Sequence, residues 1–344
     1  MEESLFQSTM IANESETENL LRPKTMDEYF GQDNVKNNLM IYIQAAKKRS
    51  ENLDHLLLYG PPGLGKTTLA HVIANELGVS ITVTSGSAIT NKMDMSQILS
   101  RLQQNEVLFI DEIHRLPATI EEILYPAMED FKLDFVAGKG LGATSTVLPL
   151  EKFTLIGATT KAGNLSAPLR DRFGMKMRLQ PYVNEELKQI VENSSKKLGI
   201  EIESDAALEI AKRSRGTPRI ANRLLRRVRD FADIMSNGIV NLDITQIAMQ
   251  RMDVDPLGLD SVDKILIETI IDKFDGGPVG LATLAAATGE DSATIEDVYE
   301  PYLIQLGFVA RTPRGRSCTP NAYKHFNRPL KDGSVICETE KNEN

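Results

Sequence analysis

The sequence predicts an α/β protein: a domain built on a parallel sheet, then a small all-helical domain, then a C-terminal winged-helix domain. Three observations carry this. Short apolar runs alternate with helical periodicity up to residue 181, helical patterns alone fill roughly residues 182–254, and the last segment reads as three helices and a hairpin. Strands alternating with helices imply a parallel sheet whose site lies at the strands' C-terminal ends.

Residues 1–20 are polar, acid-rich and without periodicity, and read as a flexible N-terminal tail. Val35, Leu39, Met40, Ile43 and Ala46 recur at helical spacing, and Leu56-Leu57-Leu58-Tyr59 reads as a buried strand. Gly60-Pro61-Pro62-Gly63-Leu64-Gly65-Lys66-Thr67-Thr68 follows directly, ahead of a helix marked by Leu69, Val72, Ile73 and Leu77 and ended by Gly78. Residues 81–84 predict a strand, 96–104 a helix, and 107–110 and 153–157 two further strands. Between these last two, residues 131–151 read as an inserted hairpin with the tip Gly138-Lys139-Gly140-Leu141-Gly142 and the exposed-looking Val136, Leu141, Val147 and Leu148. The sheet domain therefore covers 21–181 and the helical domain 182–254. Asp255-Pro256-Leu257-Gly258 reads as a linker. Helical patterns at 261–274, 281–288 and 294–306, then extended segments around Thr312-Pro313-Arg314-Gly315, give a winged-helix domain over 255–330 and a flexible tail over 331–344.

Composition bounds the function. Hydrophobic residues at 41% and charged residues at 25% are those of a globular protein, and no run approaches the roughly 20 apolar residues of a membrane helix. The acidic start Met1-Glu2-Glu3 does not resemble a signal peptide, and Cys318 and Cys337, far apart, suit a reducing compartment, so a cytoplasmic location is expected. A net charge of −9 opposes indiscriminate nucleic-acid binding, yet residues 212–229 and 301–331 carry Lys and Arg without one acid. The four histidines, His55, His71, His114 and His325, have no metal-ligand spacing.

Residues 60–67 fit G-x-x-x-x-G-K-[ST], the P-loop, whose glycines let backbone N–H groups wrap phosphates at a helix N-terminus. Lys66 is expected to reach the β- and γ-phosphates of ATP, the Thr67 hydroxyl to ligate Mg2+, and Thr68 to donate its N–H to the α-phosphate. Asp111-Glu112 ends an apolar strand. Asp111 is expected to hold Mg2+ and Glu112 to deprotonate the attacking water.

The P-loop, Asp111-Glu112-Ile113-His114, Gly157-Ala158-Thr159-Thr160, Leu169-Arg170-Asp171-Arg172-Phe173-Gly174 and Gly216-Thr217-Pro218-Arg219 resemble the AAA+ ATPase series in order. More closely, Leu21-Arg22-Pro23-Lys24 with Gly31-Gln32, residues 219–229 and Arg311-Thr312-Pro313-Arg314-Gly315-Arg316 resemble the RuvB family of bacterial Holliday-junction branch-migration motors, over about residues 20–328. The resemblance implies Thr160 as the polar sensor and Arg172, with Arg170 as the alternative, as an arginine finger reaching a neighbouring subunit's nucleotide. It further implies Arg219 as second sensor, Leu21, Arg22, Glu129, Asp130, Phe131 and Tyr182 near the adenine, and Arg311 and Arg316 on DNA phosphates. The implied assembly is a homohexamer on duplex arms of a four-way junction, with RuvA docked on hairpin 131–151 and the resolvase RuvC in the resolving complex. Two positions depart from the family: Lys161 stands where Arg is expected, and Glu290-Asp291-Ser292-Ala293 lacks a basic residue. Rival readings are a clamp-loader or replication-initiator ATP switch, and a superfamily 2 helicase suggested by Asp111-Glu112-Ile113-His114; the second would need strands where 182–254 looks helical.

Overall fold

The computed structural model describes residues 20–137 and 144–330. Expectations for residues 1–19, for the glycine tip with Leu141, for the side chain of Val136 and for residues 331–344, Cys337 included, lie outside the described residues. The chain forms two compact units that divide between Asn241 and Leu242.

In the first unit, β1 (Leu56–Tyr59), β2 (Ile81–Ser85) and β3 (Val107–Asp111) precede the hairpin of β4 (Lys132–Ala137) and β5 (Thr144–Pro149), and β6 (Thr154–Thr159) and β7 (Met175–Arg178) follow it. The sheet order is β2-β3-β6-β1-β7, every pairing parallel. Its centre is apolar on both faces: Leu56, Leu57, Leu58, Val107, Leu108, Phe109 and Ile110 are essentially inaccessible, as a sheet covered by helices requires. Register pairs Tyr59 with Thr159 and Ile110 with Gly157, so the ends of β1, β6 and β3 lie side by side.

Several elements differ from the sequence expectation. The helix expected at 96–104 is Lys92–Arg101, because Asn91 caps it and Asp94 returns a bond to the Asn91 N–H. The helix Ala118–Glu129 and strand β7 were not anticipated; Pro126 interrupts the pattern of the first, and Met-Lys-Met-Arg carries two cations on an edge strand. The segment after residue 181 is not helical throughout. Beside the helices Asn184–Leu198, Ser204–Lys212 and Pro218–Met235, β8 (Glu201–Ile202) pairs with β9 (Ile239–Val240), each too short for any periodicity to show.

His55 sits beneath the sheet, 5% exposed, with Nε2 3.0 Å from the Met128 carbonyl and Nδ1 accepting from the Leu155 N–H at 2.8 Å. Both ring nitrogens are satisfied only when the ring is neutral, and burial holds its pKa below the usual histidine range. The unfolded chain takes up a proton near pH 6.5, while the folded chain does so only at lower pH. This contribution is therefore whole above about pH 6.5 and is lost as pH falls below it. Melting temperatures should fall from pH 7.5 to 5.5, and less steeply in His55→Gln; the same slope in both would remove His55 from the account.

The second unit holds the helices Leu242–Arg251, Ser261–Glu268, Leu281–Thr288, Glu300–Gln305 and Pro320–His325, with β10 (Val309–Thr312) paired antiparallel to β11 (Gly315–Cys318). Leu266, Ile267, Ile270, Leu284, Leu303 and Phe308 form its core. The helix Leu242–Arg251, read by sequence with 182–254, groups with this unit; Lys264 Nζ donates to the Asp253 carbonyl at 2.9 Å just beyond its end. The supposed linker is a pinned turn. Asp255 Oδ1 accepts from the Leu257 and Leu259 N–H groups at 2.8 and 2.7 Å, and Tyr302 donates to the Leu257 carbonyl at 2.6 Å. At the departure noted above, Asp291 Oδ2 accepts from the Ala293 and Thr294 N–H groups, so the acid caps a helix where a base is expected.

Candidate nucleotide site

The loop after β1 takes a path that only glycine follows at its two tightest points. Gly60 has φ 145°, and a Cβ there would stand 2.5 Å from the Leu179 carbonyl; Gly63 has φ 78°, and its Cβ would meet the Thr217 methyl at 2.6 Å. The loop feeds the helix Lys66–Leu77, whose free N–H groups and dipole favour an anion. Lys66 is 7% exposed and Nζ donates to the Gly60 and Pro61 carbonyls, each at 2.9 Å. Burial lowers its pKa, against the pull of Glu112 and Asp111.

A cavity of about 430 Å³ opens over this loop. Leu21 and Arg22 line it, as do Gly63, Gly65, Lys66, Thr67 and Thr68, the carboxylates Asp111 and Glu112, and Tyr182 and Arg219. The helix Pro218–Met235 is fixed to the loop by the Arg219 N–H donating to the Gly63 carbonyl at 3.4 Å. The Tyr182 hydroxyl donates to Tyr29 at 3.0 Å and lies 3.3 Å from the Leu64 carbonyl. Burial raises the Tyr29 hydroxyl to about 12 and drives that of Tyr182 higher still, so both stay neutral.

At the end of β3, burial raises the Asp111 carboxyl above its usual range while its Oδ1 accepts the Glu112 N–H at 3.0 Å. Glu112 adopts φ 46°, a left-handed conformation unusual outside glycine and typical of strained functional positions. Its Oε2 accepts from the Thr160 hydroxyl at 3.1 Å and lies 3.4 Å from the Thr160 N–H and 3.0 Å from His114 Nδ1. Thr160 thus meets Glu112 directly across the β3–β6 pair.

Five expected residues are absent from this cavity's lining: Thr160, which meets the lining residue Glu112, and four others. Glu129, Asp130, Phe131 and Arg172 gather elsewhere, because the helix Ala118–Glu129 carries Glu129 away from the loop and Phe131 turns its ring onto Phe153, 5.9 Å away. Glu129, Asp130 and Phe131, expected near the adenine, do not line their own chain's cavity, and Arg172 is expected at a neighbour's. Arg172 instead donates to the Pro168 carbonyl at 2.8 Å, pairs with Glu129 at 3.2 Å and lies 4.3 Å above the Tyr125 ring. Asp130 pairs with Lys132 at 2.8 Å. Conversely, the sequence reading missed Tyr29, Asn222 and Arg226. The last two follow Arg219 at helical spacing and line the cavity, and Asn222 Oδ1 is buried without a hydrogen-bond partner. Among the described residues there is no group of three or more His, Cys, Asp or Glu side chains placed to hold a metal.

In the second unit Arg311 and Arg316 flank the turn, as expected, but both face Glu300, which is 2% exposed. Arg311 Nε donates to Glu300 Oε1 at 2.9 Å and Arg316 Nη2 to Oε2 at 3.0 Å; the Arg316 side chain is 12% exposed and that of Arg311 49%. Burial works to raise the Glu300 pKa, and the two arginines outweigh it and hold it low.

Comparison with known proteins agrees with this architecture domain by domain. Residues 21–179 match the Holliday junction DNA helicase RuvB P-loop domain, residues 182–255 the RuvB AAA lid domain, and residues 256–327 the RuvB C-terminal winged helix domain. The structure of the Thermotoga maritima RuvB Holliday junction branch migration motor is 50% identical, with 91% of this chain and 100% of that chain covered and a TM-score of 0.81. A proline-to-glycine mutant of the same protein is likewise 50% identical, covering 90% and 100%, with a TM-score of 0.82. A nucleotide-binding P-loop, a helical lid and a winged helix in this order, matched along nearly the whole chain, make it a member of the RuvB family of AAA+ ATPases.

Proposed function

We propose that this chain is an ATP-driven DNA motor that moves the branch point of four-way junctions during homologous recombination and DNA repair. The observation that carries the reading is the 50% identity, over 91% of the chain, to a Holliday junction branch migration motor. Lys66 and the loop N–H groups hold the phosphates, Arg219 and Tyr182 close the site from the lid, and Glu112 takes the proton of the attacking water. Mg2+ fits the donor set: Asp111 is a half-buried carboxylate whose raised pKa a cation relieves, as an anion relieves the buried Lys66. Thr67 and Asp111 hold the ion, which when bound neutralises phosphate charge.

Arg172 works in trans, completing a neighbour's site together with Glu129, Asp130 and Phe131. Its absence from its own chain's cavity supports this, and with it a homohexameric ring around duplex DNA. The RuvA-type partner docks on the hairpin, where Val147 and Leu148 are 54% and 39% exposed; a RuvC-type resolvase joins the resolving complex. The cytoplasmic reading rests on the likeness to a Holliday junction motor, and no described helix is long and apolar enough to cross a membrane. A superfamily 2 helicase needs a second large sheet, and the described residues after 181 hold only two-stranded ones. The clamp-loader or initiator alternative predicts ATP turnover indifferent to four-way DNA. Steady-state turnover should rise with a four-way junction in the presence of the RuvA-type partner, and turnover unchanged by junction DNA contradicts the proposal.

Arg311 and Arg316 are proposed on DNA phosphates, with the half-exposed Arg311 nearest solvent and Arg316 braced by Glu300. Arg311→Ala should reduce the log–log salt slope of duplex binding by about 1. Glu300→Gln should leave Arg316 with only the more distant Glu296 carboxylate, at 3.8 Å, and destabilise the second unit by about 3 kcal/mol in denaturant unfolding. A slope unaltered by the first change, or a midpoint unaltered by the second, contradicts the assignment concerned.

A further inference from the structure

We propose that His114 is a positioning residue for hydrolysis, its Nδ1–H holding Glu112 Oε2 so that Oε1 is left for the attacking water. The inference rests on Glu112 being the general base. Three groups converge on Oε2: the Thr160 hydroxyl at 3.1 Å, the Thr160 N–H at 3.4 Å and His114 Nδ1 at 3.0 Å. None of them engages Oε1. The His114 side chain is 10% exposed, and its Nδ1 also lies 2.9 Å from the Thr159 hydroxyl, which accepts the Lys161 N–H at 3.0 Å.

The tautomer follows from these neighbours. With its proton on Nε2, His114 would set an Nδ1 lone pair against a carboxylate oxygen at 3.0 Å. With the proton on Nδ1 the same approach is a favourable charge contact, and the Thr159 hydroxyl at 2.9 Å then faces that nitrogen as an acceptor. Thr160 grips the carboxylate from just beyond β6 and His114 from the turn after β3, so Glu112 is held from two sides in its strained backbone conformation. In the step this serves, the water oxygen bonds to the γ-phosphorus as one water proton passes to Oε1. The bond from that phosphorus to its bridging oxygen breaks, its electron pair leaving with ADP. Holding the acceptor in line is a matter of tenths of an ångström, and a misplaced group costs up to about 100-fold in rate.

The test compares His114→Ala, His114→Asn and Glu112→Gln in the full chain, with duplex DNA present. An asparagine amide presents an N–H close to the place of Nδ1–H, whereas alanine presents none. His114→Ala should lower kcat by about 10- to 100-fold with KM and the affinity for a fluorescent ATP analogue unchanged. His114→Asn should recover most of that loss at the same melting temperature as His114→Ala. An unchanged kcat in His114→Ala, or no recovery in His114→Asn, overturns the proposal. If Glu112→Gln itself hydrolyses ATP normally, the assignment of the base fails, which is a different result from an active His114→Ala beside an inactive Glu112→Gln.

Discussion

Glu112→Gln should bind ATP as tightly as the unaltered chain and hydrolyse it about 100- to 10,000-fold more slowly, the range that general bases contribute. The amide keeps the size of the carboxylate and one acceptor oxygen, which can take the place of Oε2 toward Thr160 and His114. It cannot take the water's proton. The proposed phosphate contacts lie on other elements, Lys66 on its helix and Arg219 on the helix Pro218–Met235, so affinity should hold. Pre-steady-state turnover with an affinity measurement on the same preparation separates the two effects. Turnover retained in the variant would remove Glu112 from the chemistry.

Arg172→Ala should lose a factor of about 1,000 or more in kcat, the contribution of an arginine finger that stabilises transition-state charge. The setting of the guanidinium is compatible with the proposed role: it contacts Glu129, the Pro168 carbonyl and the Tyr125 face, is partly exposed, and is absent from the lining of its own chain's cavity. Contacts of this kind reduce the entropy lost on reaching a neighbour. The trans assignment yields a sharper expectation than inactivity. Arg172→Ala chains mixed with inactive Lys66→Ala chains should regain part of the activity, because some interfaces then pair an intact P-loop with an intact Arg172. Mixtures as inactive as either parent would contradict completion by a neighbour.

How much of this was legible in the sequence depended on how local each feature is. The P-loop, the strand ending in Asp111-Glu112 and the winged-helix order were readable because each lies in one short segment whose pattern decides it. Strand β7 was not, since an edge strand bearing Lys176 and Arg178 has no apolar run. The convergence of Glu112, His114 and Thr160 was hidden because it exists only through the pairing of β3 with β6. The wing misled in a more instructive way. The acid-free run 301–331 suggested unopposed arginines, yet Glu300, the residue immediately before it, and Glu296 supply their counter-charge, the first at the start of the helix Glu300–Gln305. Arg172 was recognised by resemblance alone, and its separation from its own cavity is a fact of the fold that no spacing conveys.

Real-time migration of a synthetic four-way junction tests the central claim most directly. With ATP, Mg2+ and a RuvA-type partner, the unaltered chain should move the branch point and separate the junction into two duplex products. Movement should cease with Glu112→Gln, although that variant still binds nucleotide. Vigorous ATP hydrolysis by the unaltered chain with the junction standing still would contradict the account and favour an ATP-switched loader or initiator.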